Sequence, residues 1–274
     1  MENPQGGAAA LLAADEPPPM LEVSPHGRSP FVITVDHASA RIPRSLRDLG
    51  LPAAELKRHI AWDIGALAVG LRVAAALDAA LIAQNYSRLV IDCNRDPLVE
   101  SSIPLSSEAT VIPGNVDLSD AQRMARRQEI FDPYHQRIRE RLDARQAAGR
   151  TTILVALHSM TDVYHGVRRE MHAAILYNRD RRFAHSMLEQ LRRDSALHIA
   201  DNQPYFVSDA TDFTIPRHGE ARGLPHVEIE LRQDLIANEA GQAEWAERLG
   251  RALVAAQGAF ASNGACASRE RGSA

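Results

Sequence analysis

The amino-acid sequence predicts an α/β protein with a three-layer αβα architecture, in which helices cover both faces of a mixed, mostly parallel sheet. Short apolar runs alternate with longer segments of helical periodicity, as in Phe31–Val35 followed by 64–77. The runs are apolar throughout, which is typical of parallel strands that are buried on both faces. Together these two observations favour a sheet with helical crossovers.

The second predicted strand spans Arg88 to Asp92 and ends at the polar cluster Asn94-Arg-Asp-Pro97. Beyond a long polar loop, Ser119 and Gln122 have the spacing of a capping box, which predicts the start of a helix. Pro133 and Asp132 then predict that this helical region is divided, with Asp132 as the cap of a new helix. Further strands are predicted at 152–157, 173–177 and 226–231, and further helices at 181–194 and 241–260.

The predicted domain organisation is simple. The chain has 274 residues, 45% of them hydrophobic, and its middle contains nothing that resembles a linker. Small, polar, Pro and Gly residues dominate before about Ser29 and after about Ala261. The sequence therefore predicts a single folded domain at 29–261 between a disordered N-terminal tail, 1–28, and a disordered C-terminal tail, 262–274.

Charge and cysteine content limit the classes of partner. A formal net charge of -4 gives no general reason to expect nucleic acid or an anionic membrane. The two cysteines, Cys93 and Cys266, argue against a disulfide framework and a cysteine metal cluster. The N-terminus lacks the basic start and apolar run of a secretory signal. We therefore expect a cytoplasmic protein with a small-molecule ligand, and the oligomeric state stays open.

Two histidines directly follow predicted strands. His37 comes after the run 31–35, and His158 comes after the run 152–157. Ligands bind beyond the carboxyl ends of parallel strands, where two imidazoles can meet around one ion. Because the spacing is not that of a short-range metal motif, a hydrogen-bonded loop histidine is the competing interpretation of each.

Asp63 immediately precedes an alanine-rich helix, and the sequence allows two interpretations of it. A carboxylate at this position commonly caps the helix by accepting a backbone hydrogen bond. The same carboxylate would complete a site of two histidines and one acid, with an open position for water. The residues alone leave both interpretations open.

The segment His226–Arg232 alternates strictly, so that His226, Glu228, Glu230 and Arg232 share one face of a strand. The simplest interpretation is a strand with one solvated face. Either glutamate on this face is also a candidate proton acceptor. Periodicity does not rank the two.

Several arginines are candidates for binding a substrate carboxylate through a two-point fork. Arg88 and Arg95 flank one predicted strand, and Arg168 and Arg169 lie in a loop. A Gly-x-Ser-x-Gly nucleophile elbow and a glycine-rich phosphate loop are both absent from the sequence, and Cys93 has no evident activating partner. The sequence thus favours a metal-assisted reaction over a side-chain nucleophile.

Four stretches resemble the N-formylglutamate amidohydrolase family in order and spacing. The most specific is Ser87-Arg-Leu-Val-Ile-Asp-x-Asn-Arg95. The family is similar in fold to zinc-dependent carboxypeptidases and zinc amidases. The four stretches are 35–43, 62–66, 86–97 and 223–234.

The resemblance implies roles for individual residues. It implies His37, Asp63 and His158 as ligands of one divalent metal ion, with zinc as the expected ion. It implies Glu230 as the general base and His218 as a proton donor or substrate contact. The candidate substrate-binding residues are Arg88, Asn94, Arg95, Arg168 and Arg232.

The predicted function is metal-dependent amide hydrolysis. The substrate would be an N-acyl amino acid such as N-formylglutamate, attacked by a metal-activated water. One alternative is an amidase acting on a cell-wall peptide or another acylated amino acid. Another is a catalytically silent small-molecule binding protein of the same fold.

Overall fold

In the computed structural model of the protein, the structure is described for residues 10–271, and side chains are described for 10–262. The strands are β1 Met20–Val23, β2 Phe31–Val35, β3 Ala80–Gln84, β4 Ser106–Ser107, β5 Thr110–Val111, β6 Ile153–Met160, β7 Val163–Tyr164, β8 Val167–Arg168, β9 Ala173–Leu176, β10 Ile199–Asp201 and β11 His226–Arg232. The helices are α1 Ala66–Leu77, α2 Asp120–Arg126, α3 Asp132–Ala147, α4 Arg182–Leu191 and α5 Glu239–Arg271.

Seven strands form one sheet in the order β1-β3-β2-β6-β11-β9-β10. The four central strands, β3, β2, β6 and β11, run parallel to one another. Strand β1 is antiparallel to β3, and β9 is antiparallel to β11. The predicted mixed, mostly parallel sheet is therefore confirmed. The pairs β4–β5 and β7–β8 form two small hairpins outside this sheet.

Alternate residues of the strands pack into two apolar layers. Ile33 and Val155 face one side, where they join a core cluster with α1, α4 and α5. Val32 and Leu154 face the other side, with α3 and the segment after β3. Because helices cover both faces of the sheet, the predicted three-layer αβα class is confirmed.

The segment 10–28 differs from the predicted disordered tail. Strand β1 adds an antiparallel edge to the sheet, and Met20 pairs with Gln84 of β3. The backbone N–H groups of Leu11 and Leu12 donate to the Glu129 carboxylate at 2.8 and 2.9 Å. Composition did not indicate this order because it depends on contacts distant in sequence. Residues 1–9 lie outside the described part of the chain.

Helix α5 continues to Arg271, beyond the boundary predicted near Ala261. Its alanine-rich sequence has a high helix propensity, which extends the helix into the segment that was expected to be disordered. Residues 272–274 of that predicted tail lie outside the described range. Among the helices of the described range, α5 included, there is none with the length and apolar character needed to cross a membrane.

The second predicted strand is wrong. Residues 88–92 form a loop, and the strand is instead β3, Ala80–Gln84. Alanines at two of its five positions weaken the strand signal in β3. The apolar residues Leu89, Val90 and Ile91 are buried because this loop packs beneath the sheet.

The predicted capping box is confirmed, with the Ser119 side chain accepting a hydrogen bond from the Gln122 N–H group. The predicted division at Pro133 is wrong. A π-helical turn at Arg127–Phe131 leads directly into α3, and Asp132 caps nothing with its side chain. The widened turn accommodates a proline that has no N–H group to donate.

Candidate metal centre and active site

The two histidines of the predicted metal site lie at adjacent strands. His37 is two residues beyond β2, and His158 lies within β6, which continues past the predicted end of the strand. Strands β2 and β6 pair in parallel, with Thr34 opposite Ala156. The two imidazole rings are consequently close, with centroids 5.0 Å apart.

Asp63 lies between these two rings. Its Oδ2 atom is 2.9 Å from Nδ1 of His158 and 3.3 Å from Nδ1 of His37. One ligand atom from each of the three residues lies within 4.8 Å of the other two, and all three side chains are buried. Two imidazoles and one carboxylate converging in this way fit a divalent cation with an open coordination position.

The side chain of Asp63 does not cap α1. The helix begins at Ala66, preceded by Gly65 with φ of 81°, and no side chain caps it. An ideal Cβ at Gly65 would lie 2.3 Å from the carbonyl oxygen of Ile236, so this position requires glycine. The capping interpretation of Asp63 is therefore excluded by the geometry.

The outer nitrogens of both histidines face carboxylates. Nε2 of His37 is 2.7 Å from Oδ1 of Asp92, and Nε2 of His158 is 3.3 Å from Oδ2 of Asp36. Asp36 is fixed in turn by the Tyr134 hydroxyl, which donates to it at 2.5 Å. Carboxylates in these positions hold both imidazoles with Nδ1 toward Asp63. Asp36 and Asp92 were not predicted as site residues, although each lies within a stretch that resembles the family.

The electrostatics of the cluster favour a bound cation. Burial disfavours the charged imidazoles, but the Asp92 and Asp63 carboxylates raise the pKa of His37. Burial likewise opposes the charge of Asp63, yet the two imidazoles lower the pKa of this carboxyl. The pKa of His158 is raised well above its ordinary value by Asp36 and Asp63, against the effect of burial. A divalent ion would replace the protons that these carboxylates attract.

A cavity of about 660 Å³ lies over the triad. Acidic, basic and aromatic side chains line different parts of it. They include Glu228, Glu230, Arg88, Arg95, Arg169, Tyr164, Tyr205 and Phe206.

Glu228 and Glu230 occupy β11, which is buried along its whole length, so the expectation of a solvated face is wrong. Glu230 lies opposite His158 in the neighbouring strand β6, level with the triad of His37, Asp63 and His158. Burial raises the pKa of Glu230 to about 7, with the charge of His158 opposing the increase. Burial raises the pKa of Glu228 well above its usual value. Glu230 can therefore exchange a proton near neutral pH, and burial favours the neutral form of Glu228.

Arg88, Asn94 and Arg95 all line the cavity but are engaged differently. Arg88 donates to Asp92 at 2.7 Å, and its other terminal nitrogen is 3.6 Å from Oδ1 of Asp63. The Asn94 side-chain oxygen accepts the backbone N–H groups of residues 213 and 214, both at 3.0 Å. Asn94 thus fixes the neighbouring loop. The guanidinium groups of Arg88 and Arg95 contribute positive charge to this part of the cavity lining.

Two of the predicted substrate-binding arginines lie elsewhere. Arg168 is exposed on β8 and does not line the cavity. The Arg232 guanidinium donates to the carbonyl oxygens of residues 169–171 and pairs with Asp234 at 2.7 Å. Arg232, the last residue of β11, thus fixes the backbone of the segment that precedes β9.

The structure also places His218 away from the cavity. It lies in a π-helical turn, Ile215–Gly219, with Nε2 3.0 Å from Nδ1 of His135. Nε2 of His135 is 2.8 Å from the carbonyl oxygen of Cys93, so His135 donates there and accepts from His218. Burial lowers the pKa of His218 to about 2 and that of His135 to about 4. Because His218 does not line the cavity, its position does not support the predicted role of proton donor or substrate contact.

Comparison with known proteins gives consistent matches. Residues 29–237 match the family model of N-formylglutamate amidohydrolase. A curated relative, N-formylglutamate deformylase from Pseudomonas putida, is 31% identical over 127 residues, which cover 43% of this chain and 46% of the relative. The curated match thus spans less than half of that relative's length.

Two solved structures share the fold. The gene product Atu2144 from Agrobacterium tumefaciens is 39% identical with a TM-score of 0.88, covering 91% of this chain and 99% of the other. N-formylglutamate amidohydrolase from Ralstonia eutropha JMP134 is 20% identical with a TM-score of 0.67, covering 87% and 97% respectively. At that identity the second likeness concerns the fold alone.

Proposed function

Because the chain belongs to the N-formylglutamate amidohydrolase family, we propose that it hydrolyses the amide bond of a small N-acyl amino acid, with N-formylglutamate as the favoured substrate. The observation that carries this proposal is the position of Glu230, level with His158 of the triad and open to the same cavity. The proposal includes a zinc ion held by His37, Asp63 and His158, and a cytoplasmic location.

A divalent ion bound at this triad supplies Lewis acidity toward water and the substrate carbonyl. Glu230 accepts the proton of the attacking water, which its pKa of about 7 permits near neutral pH. A C–O bond forms as the C–N bond breaks, and Glu230 then transfers the proton to the departing amine nitrogen. The products are a carboxylic acid, formate in the favoured case, and a free amino acid.

The basic wall of the cavity supports this chemistry. The Arg88 guanidinium, fixed by Asp92, lies close to Oδ1 of Asp63 and can stabilise negative charge that develops on the carbonyl oxygen. The Arg95 guanidinium follows the same loop and is assigned to the α-carboxylate of the substrate. A catalytically silent binding protein has no use for a buried base beside a complete triad, so the enzyme is the preferred alternative.

The test is the isosteric change Glu230→Gln. We expect the turnover of N-formylglutamate to fall by at least roughly a hundredfold, because loss of general base catalysis typically costs a factor of 10² to 10⁴. Bound zinc, measured by elemental analysis, is expected to stay near one per chain.

The matched control is Glu228→Gln, two residues away on the same buried strand face. Because burial favours the neutral form of the Glu228 carboxyl, a neutral amide of the same shape is a small change, and activity is expected to remain near the wild-type level. Full activity in Glu230→Gln, or equal losses in both variants, would remove Glu230 from the proposed mechanism.

A further inference from the structure

The three arginines of the cavity differ in how their charges are balanced. Arg88 pairs with Asp92 at 2.7 Å, and Arg95 lies 3.9 Å from Asp212. Within the described part of the chain, Arg169 has no carboxylate oxygen within 4 Å, although it lines the same cavity. Arg169 therefore brings an unbalanced positive charge to the cavity wall.

Hydrogen bonds of both its N–H group and its carbonyl oxygen fix the backbone of Arg169. Its N–H group donates to the carbonyl oxygen of Asp162 at 2.8 Å, which closes the hairpin β7–β8. Its carbonyl oxygen accepts from the buried guanidinium of Arg232 at 3.1 Å. These bonds fix which of the two adjacent arginines, Arg168 or Arg169, is directed into the cavity.

The side chain of Arg169 is equally constrained. One terminal nitrogen donates to the carbonyl oxygen of Thr161 at 3.3 Å, three residues beyond the triad residue His158. The guanidinium carbon lies 5.0 Å from the ring centroid of Tyr164 and 5.5 Å from that of Tyr205. Two aromatic faces stabilise the cation without neutralising it, which leaves its other N–H groups for an anion.

This basic group is also close to the reacting centre. Tyr205, whose ring contacts the guanidinium of Arg169, lines the same cavity as Glu230 and the triad. A substrate whose amide bond lies between the triad and Glu230 would thus extend toward the pair of tyrosines. A second carboxylate at that end would meet the fork of Arg169.

We propose that Arg169 is a specificity-determining residue that binds the side-chain carboxylate of a dicarboxylic N-acyl amino acid. This inference rests on the proposed hydrolysis of N-acyl amino acids. The α-carboxylate of the substrate is adjacent to the scissile amide and is assigned to Arg95. This arginine lies three residues after Asp92, whose carboxylate contacts His37. Arg169 lies on a separate hairpin, so the two cations accept two separated carboxylates and disfavour a neutral side chain.

The experiment compares Arg169→Met with Arg168→Met, which removes the same charge from the exposed neighbour on the same hairpin. Substrates are N-formylglutamate and N-formylglutamine, which have nearly the same shape but differ in side-chain charge. In Arg169→Met, kcat/KM for N-formylglutamate should fall by roughly 10- to 100-fold, mainly through KM, because a charge-assisted hydrogen bond is lost. Hydrolysis of N-formylglutamine should change little, and Arg168→Met should behave like the wild type.

Equal losses on both substrates in Arg169→Met, or equal behaviour of the two variants, would overturn the assignment. Thermal unfolding of each variant, with Arg169→Lys as a charge-retaining second variant, separates a binding defect from misfolding. A wild type that cleaves neither substrate contradicts the proposed hydrolysis instead. Calorimetric titration with glutamate and glutamine then tests Arg169 without turnover, and an unchanged glutamate affinity in Arg169→Met overturns its role.

Discussion

The carboxylate of Asp63 contacts both histidines of the candidate metal centre, and the adjacent helix begins without it. The sequence allowed a cap or a ligand because an acid before an alanine-rich helix satisfies both patterns. Gly65 decides between them, since its left-handed conformation starts the helix and leaves Asp63 free to point toward β6. A local conformation that sequence periodicity does not report thus fixes the role of this side chain.

Asp63→Asn is expected to abolish metal binding while α1 remains intact. The amide is a neutral and weaker ligand, and the helix does not depend on this side chain for a cap. Elemental analysis should give well below one metal per chain, and circular dichroism should show unchanged helix content.

Asp143→Asn provides the matched control, because Asp143 is a largely exposed carboxylate on α3. It should retain the wild-type metal content. One metal per chain in Asp63→Asn, or loss of helix content together with metal, would contradict a ligand role that is separate from the helix.

The types of residue in the site could be predicted from the sequence more readily than the directions in which their side chains point. His37, His158 and Glu230 were singled out at strand ends or on a strand face, and the structure brings them together. Arg168 was predicted as a substrate-binding residue, but its neighbour Arg169 lines the cavity, because a shift of one residue in a strand reverses the face that a side chain occupies. Their directions depend on the hairpin and on the remote Arg232.

At the scale of whole elements, four strands of the seven-stranded sheet were predictable and three were not. Strands β2, β6, β9 and β11 were predicted within a few residues, whereas β1, β3 and β10 were missed. The first of these is an edge strand, the second contains alanines, and the third has three residues. Each therefore depends on its sheet neighbours more than on its own propensity.

The buried histidines His135, on α3, and His218, in the π-helical turn Ile215–Gly219, are in contact with each other. Burial lowers the pKa of His135 to about 4 from an ordinary value of 6.5. Between these pH values the unfolded chain binds a proton that the folded protein excludes, so stability falls as the pH decreases from 6.5 to 4. The contribution of His135 to this loss is about 3 kcal/mol.

Denaturant unfolding at pH 7 and pH 4.5 measures this effect in the wild type and in His135→Gln. The free energy of unfolding of His135→Gln is expected to depend less steeply on pH than that of the wild type. His26→Gln, at an exposed position, should keep the wild-type dependence. An unchanged slope in His135→Gln would contradict the assignment of acid sensitivity to this pair.

At the scale of the whole molecule, the triad joins parts of the chain that are far apart in sequence. Its members are separated by 26 and 95 residues. An ion that binds this arrangement, and not the unfolded chain, stabilises the fold by mass action. At a free zinc concentration 100 times the dissociation constant, the expected gain is about 2.7 kcal/mol.

Thermal unfolding of chelator-treated protein, with and without added zinc, tests this expectation. The wild type should unfold at a higher temperature with zinc. Asp63→Asn should show no increase, and an equal increase in both proteins would assign the stabilisation to zinc bound elsewhere.

The N-terminal strand has a practical consequence for anyone shortening this protein. Both the composition and the family match suggest that a fragment could begin near residue 29. Such a fragment would lack β1, so the backbone groups of β3 that pair with it would face solvent along an open sheet edge. Self-association through that edge, with no fault in the catalytic centre, is the outcome to anticipate.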